Sequence, residues 1–528
     1  MRRRILSAAA LAAVLATGLA AAPASAKELR WAFSSDTASL DPMGHNVTFT
    51  YSVLSNVYEG LIRRTPDLKI EPSLATKWEM VEPTRWRFHL RKGVKFHNGN
   101  DFNADDVIFS YNRINHVDSN LRDRVAGVAE AIKVDDYTVD FVTKKPDPIM
   151  MSQWDTFFIM DKEWSEANNA TVPTNLTKGV ESYAGRNSNG TGAFIITERT
   201  ADVRTVFEPN PNWWDKPQHN LTKVTMTPIQ QAATRVAALL SGEIDMMFPA
   251  PLQDIDRINS NKGTRVISGP ELRTIFLGFD QFREKALGTN TDKNPYLDVK
   301  VRKAIYHAID IELIKTRIMR NSSDPTSIMI SPKLFPLADQ VKRYPYDPEM
   351  AKKLLAEAGY PNGFETRLDC TNDRYVNDAQ ICQAMTAMLA RVGIKVNMRA
   401  YPNAQYFSDI NRPKQDFALY MLGWTPSTFD SHNVLYNLMA SWDESTGRGR
   451  VNYGDFKNDR INEITGLIVS ETDTDKRNKL ILEAYQIMHE NAYYVPLHQQ
   501  SVVWAARDNV ELAQRADDQF HFNYVTIK

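Results

Sequence analysis

Around Cys370 the sequence reads as a strand, and residues 378–392 read as a helix with Ile381, Met385 and Met388 on its inward stripe. Gly393 stops that helix and Ile394-Lys395-Val396 resumes a strand. Strand, helix and strand within about 30 residues form a β-α-β unit, which implies a mixed or parallel sheet. No other stretch narrows the choice of fold as much. It places the chain in the α/β class.

The rest of the chain alternates in the same way. Residues 85–90 predict a strand with Trp86, Phe88 and Leu90 on one face, and the turn at Glu82-Pro83-Thr84 pairs it with 77–81. Residues 131–142 predict a second hairpin, turning at Asp135-Asp136. Asn103 is a helix cap, because its side chain can accept a backbone N–H while Asp106 reaches back from the reciprocal position. Residues 228–241 read as a helix ended by Gly242. Asp298 opens a helix with Val301, Ile305 and Ile309 on one stripe. Asp347-Pro348 starts another, closed by Gly359. There are no internal repeats and no low-complexity linker.

The first 26 residues have a different character. A basic head, Met1-Arg2-Arg3-Arg4, precedes an apolar, Ala-rich run, and Ala24-Ser25-Ala26 supplies a small-residue cleavage pattern before Lys27. These are the three parts of a secretory signal peptide. A membrane span wants about 20 lastingly apolar residues, and this run stops at Pro23. Cleavage after Ala26 would take the formal charge from −1 to −4 over the remaining 502 residues. With 63 Lys+Arg against 64 Asp+Glu there is no basic excess for nucleic acid. No second apolar run of spanning length follows. The 10 Trp, 20 Tyr and 23 Phe suffice for a large core, and at about 100–200 residues per domain the chain should hold two to four lobes. Cys370 and Cys382 are either a short disulfide, permitted in an oxidising compartment, or two buried thiols. Both readings stay open.

Catalytic patterns are missing. There is no G-x-S-x-G elbow, His489-Glu490 lacks the second His of a zinc-protease helix, and Gly190-Thr191-Gly192 is too short for a nucleotide fingerprint. Asp105-Asp106 sits in a helix's first turn, where acids offset the dipole.

An ordered series of segments resembles the family 5 extracellular solute-binding proteins, the large periplasmic receptors of peptide, nickel and related ABC importers. Leu74-Ala75-Thr76-Lys77-Trp78 and the run from Phe88 to Gly99 begin it, and Asn103-Ala104-Asp105-Asp106-Val107 continues it. Gly190-Thr191-Gly192-Ala193-Phe194, Asn210-Pro211-Asn212-Trp213-Trp214 and residues 239–245 follow. Residues 301–310 and 346–359 complete it. The resemblance implies a two-lobed periplasmic-binding-protein fold of type II, with an extra α/β domain on lobe I. Lobe I would comprise 27–68, 192–274 and 499–528, the extra domain 69–191 and lobe II 275–498. The run 90–99 would shape the extra domain rather than touch ligand.

Peptide-binding members of that family carry, after a Gly-Trp or Asp-Trp pair, an Asp that pairs with the peptide's α-amino group. Here the segment is Gly423-Trp424-Thr425-Pro426-Ser427-Thr428-Phe429-Asp430, with Ser427 in that place. A neutral hydroxyl cannot supply the countercharge that a buried ammonium needs. Asp430 could compensate from a shifted loop, or it could cap a helix. Trp424 offers a flat face to an apolar, sugar-like or cationic group, with Thr425 beside it. Arg374 lies where members of the family bind a carboxylate and could grip an anion through paired N–H bonds. His45 and Asn46 belong to a loop expected at the cleft.

The expected function is capture of a small solute by hinge closure and its delivery to the membrane subunits of an ABC permease. The protein would be a periplasmic monomer with no cofactor, no metal and no direct membrane insertion. A modified peptide, opine, oligosaccharide or metal chelate is preferred over a plain peptide. The alternatives are a secreted hydrolase and a periplasmic chaperone or presenter of ligand to a chemosensor.

Overall fold

The computed structural model describes residues 27–528; the signal read over 1–26 lies outside them. A large mixed sheet organises the chain. From one edge its strands are Lys395–Tyr401, Glu365–Thr371, Leu419–Trp424, Thr264–Phe279 and Tyr494–Arg507. Beyond these come Met246–Phe248, Glu28–Phe33, Lys223–Pro228, Arg204–Pro209 and Phe194–Thr200. A short strand, Ser323–Pro325, pairs off this path with Tyr494–Arg507.

The β-α-β unit is present. Glu365–Thr371 and Lys395–Tyr401 run parallel, and the helix Asp378–Ala390 connects them. It stops where Gly393 takes φ +91°, a conformation that costs a residue with a Cβ. Cys370 on the strand and Cys382 on the helix are joined in a disulfide, both fully buried.

The predicted caps hold. Asn103 and Asp106 form a reciprocal capping box on the helix Ala104–Ile114. Asp298 accepts from the Lys300 N–H and Asp347 from the Met350 N–H. One start is displaced: the helix expected from 228 is Ala232–Ser241, because Pro228 ends the strand Lys223–Pro228, in register with Phe33. A separate four-stranded sheet contains both predicted hairpins, in the order Ala75–Glu82, Arg85–Leu90, Thr138–Thr143, Val128–Asp135.

Three apolar clusters follow this plan. The first joins the four-stranded sheet to the N-terminal strands and the C-terminal return, through Phe88, Trp154, Trp31, Trp504 and Phe520. The third is confined to residues 276–494 and includes Tyr406, Leu438 and Tyr494. The second runs along one face of the large sheet from Val236 to Leu277, Ile305 and Met385.

Between the two ends of the sheet, continuity passes through the antiparallel pair Thr264–Phe279 and Tyr494–Arg507. Their register is interrupted between Pro270 and Thr274, and it resumes with Thr274 opposite Gln499 and Ile275 opposite His498. A bulge of this kind bends and twists a strand locally.

Candidate functional site

A cavity of about 550 Å³ opens beside that interruption. One wall comes from Leu419–Trp424 and the segment after it. The strand is buried over Leu419–Leu422, and Gly423 follows. A Cβ at Gly423 would stand 2.7 Å from both Ile275 Cδ1 and Tyr375 Cε1, so the close approach of Tyr375 requires glycine there. Trp424 closes the strand half-buried. Its Nε1–H donates to Asn433 Oδ1 at 3.0 Å, and the Asn433 amide donates to Ser427 Oγ at 3.1 Å.

The opposite wall is aromatic. Phe33 stacks on Phe49 with centroids 3.7 Å apart and meets Phe248 at 4.6 Å. Two arginines cross towards the Trp424 segment. Arg124, only 3% exposed, donates to the Ser427 carbonyl at 2.9 Å. Arg273 donates to Thr425 Oγ1 at 3.1 Å and pairs with Glu271 at 3.0 Å.

Arg374 is held out into the cavity by its loop. The Asp378 carboxylate accepts from the Thr371 hydroxyl and from the backbone N–H groups of Arg374 and Tyr375, and the disulfide closes the same loop. The guanidinium lies over Phe407 and Tyr375, at 5.4 and 5.7 Å from the ring centroids. Among the described residues no carboxylate lies within 4.0 Å of it. Asp518 also lines the cavity, with Oδ1 buried and without a hydrogen-bond partner. Burial, and then the charge of Glu271, hold its carboxyl well above the usual range, with Arg273 opposing.

Of the residues singled out from sequence, Trp424, Thr425, Ser427, Arg374 and Asn46 line this cavity. Asp430 does not. Its carboxylate caps the helix Ser431–Val434 and pairs with Arg477 at 2.7 Å, so its charge is already matched. Nor does His45, whose Nδ1 lies 2.9 Å from Thr50 Oγ1 and whose imidazole is biased to the neutral form by burial. Arg124, Asn433 and Asp518 were not anticipated. Their approach is set by tertiary contacts, and no local pattern marks them.

The run 90–99 contributes no residue to this cavity. Asn98 and Asn100 donate to Asp161 Oδ2 at 2.8 and 2.9 Å, and His97 Nε2 lies 3.1 Å from the Gly192 carbonyl. These contacts join the run to Asp161 and Gly192, away from the cavity.

The family described as bacterial extracellular solute-binding proteins, family 5 Middle, matches residues 69–446. The chain belongs to that family. It is similar to the Heme-binding protein A of Haemophilus influenzae, at 28% identity over 84% of this chain and 81% of the relative. It is equally similar, at 28%, to the Dipeptide-binding protein of Escherichia coli, over 89% of each chain. Among solved structures, it resembles an ABC transporter-associated periplasmic binding protein from Helicobacter pylori in complex with the peptide STSA. That match has 25% identity and a TM-score of 0.77, and covers 95% of this chain and 98% of that one. As a family 5 protein, this chain has the two-lobed fold and is a substrate-binding protein of an ABC importer; the family is one of binding proteins rather than enzymes. No helix among the described residues is long and apolar enough to cross a membrane.

Proposed function

We propose that this solute-binding protein captures an acid-bearing small solute, held by Arg374 against Trp424 and the Phe33–Phe248 wall, and releases it chemically unchanged. The observation that carries this reading is the Arg374 guanidinium, oriented by two rings and facing the cavity with no carboxylate in reach. A carboxylate could accept two of its N–H groups side by side. Ser427 in place of an acid disfavours a plain peptide with a free amine. Within the expected range, opine-type conjugates and modified peptides therefore rank above neutral oligosaccharides. Heme and dipeptides, for which two relatives are named, are also carboxylate-bearing ligands.

The lobes of this reading are 27–68, 192–274 and 499–528 for the first, with 69–191 packed on it, and 275–498 for the second. The boundary pairs Thr274–Gln499 and Ile275–His498 face each other across the two long strands, and the unpaired stretch 271–273 is the hinge. A solute favours the closed form only through contacts that the open form lacks. Moving the population from 1:99 to 99:1 takes about 5.5 kcal/mol of that difference. Export by a cleaved signal, residence in the periplasm as a monomer and hand-over to permease subunits complete the proposal.

The test is a thermal-shift screen of refolded, ligand-stripped protein against peptides, opine conjugates, sugars and metal chelates. Acid-bearing conjugates should raise the melting temperature with concentration as mass action requires, and Arg374→Ala should move the same shift to roughly 10- to 150-fold higher concentration. A screen in which only neutral sugars stabilise, or in which the compound is returned cleaved, overturns the proposal.

A further inference from the structure

Behind Trp424 a second chamber of about 500 Å³ opens within the second half of the chain. Arg374, Gly423, Trp424 and Arg450 line both spaces, so the chamber adjoins the cleft at these residues. Its walls combine three guanidiniums, of Arg374, Arg412 and Arg450, with the rings of Phe407, Trp424, Trp442 and Tyr453. Among the described residues no Asp or Glu lines it.

The arginines are held in different ways. Arg374 lies over Phe407, and Arg412 lies over Trp442 at 5.0 Å. Arg412 is anchored by the Asn452 carbonyl at 2.8 Å and Asp455 at 3.1 Å, while its Nε is buried without a partner. Arg450 is exposed, with neither an ion pair nor a hydrogen bond to any described residue. Stacked guanidiniums are pre-organised for anions, and the rings supply flat apolar surface. A net positive chamber with aromatic walls suits one chemistry: a planar or apolar group that carries its own acid.

We infer that this chamber is a second anchoring site, which takes an acidic, ring-bearing or otherwise apolar branch of the solute while Arg374 at the shared wall holds a first acid. The inference rests on the cleft reading above and narrows it to solutes with two acidic groups separated by an apolar body. Trp442 and Arg450 then set specificity, and Arg374 serves both spaces.

The probe is 8-anilinonaphthalene-1-sulfonate, an aromatic anion, titrated into the folded full-length mature protein and followed by fluorescence. One saturable site is expected. Arg450→Glu, a change at an exposed position that leaves folding intact, should weaken it at least tenfold, and Trp442→Ala should do the same with an unchanged circular dichroism spectrum. A signal that is absent, that does not saturate or that persists in Arg450→Glu overturns the chamber. The cleft reading fails separately, in the solute screen, if no acid-bearing compound stabilises the protein.

Discussion

Arg273 reaches Thr425 from the interrupted stretch of a long strand, its Nε–H 3.1 Å from the hydroxyl. The same guanidinium neutralises Glu271, which is 3% exposed. One side chain thus links the proposed hinge to the segment that carries Trp424 and Ser427. Arg273→Met should destabilise the protein by about 3–5 kcal/mol, because it leaves a buried carboxylate without its counter-ion, with only the Gln500 amide, at 2.8 Å, still donating to it. Adding Glu271→Gln should recover a large part of the loss. Urea unfolding of the two variants checks this; equal stability of the single and double variants would refute it.

Arg374 has the opposite profile. With no ion pair to lose, Arg374→Ala should leave the melting temperature of the unliganded protein nearly unchanged. Affinity for an acid-bearing solute should fall by about 1.5–3 kcal/mol, roughly 10- to 150-fold. Scanning calorimetry of the unliganded protein reads the first quantity and calorimetric titration the second.

Ser427→Asp places a carboxylate beside the Asn433 amide, which already donates to that position. The variant should gain affinity for peptides with a free amino group and lose it for acidic conjugates. No gain with a di- or tripeptide series would show that this loop does not hold the amine-binding position.

The Cys370–Cys382 disulfide should contribute about 3 kcal/mol, mainly by restricting the unfolded chain. A reductant should lower the melting temperature of the native protein and leave a Cys370→Ser/Cys382→Ser variant unaffected. Because the bridge closes the loop bearing Arg374, solute affinity should weaken along with stability.

Acid should cost stability through His498. This ring is buried, neither nitrogen has a hydrogen-bond partner, and burial followed by the charge of Arg343 lowers its pKa to about 3. The unfolded chain takes up the proton near pH 6.5, as an ordinary histidine does. The folded protein resists it, so stability falls as pH drops from about 6.5 towards 3, by about 1.4 kcal/mol per pH unit. His498→Gln removes this dependence. The stability difference between the native protein and the variant should therefore shift against the native protein between pH 7 and 5. A difference that stays constant would refute the assignment.

The features legible in the sequence were those written in local chemistry. Gly393, Asp347-Pro348 and the pair Asn103 and Asp106 each mark a helix end through atoms only a few residues apart. Pro228 misled, because a proline that can begin a helix can also end a strand, and only the pairing with Phe33 decides between them. At the cleft, Trp424 and Ser427 could be found because they share one segment. Arg124 could not, since its contact with the Ser427 carbonyl joins residues 303 apart. Asp430 was ambiguous for a related reason: nothing near it in the chain announces Arg477.

Tyr494–Arg507 is the strand that fits between Met246–Phe248 and Thr264–Phe279. Until residues 494–507 occupy that slot, the strands on its two sides share no neighbour, so the large sheet becomes continuous only when a segment from more than 200 residues along the chain arrives. A contact made over so long a stretch of chain forms slowly compared with local pairing.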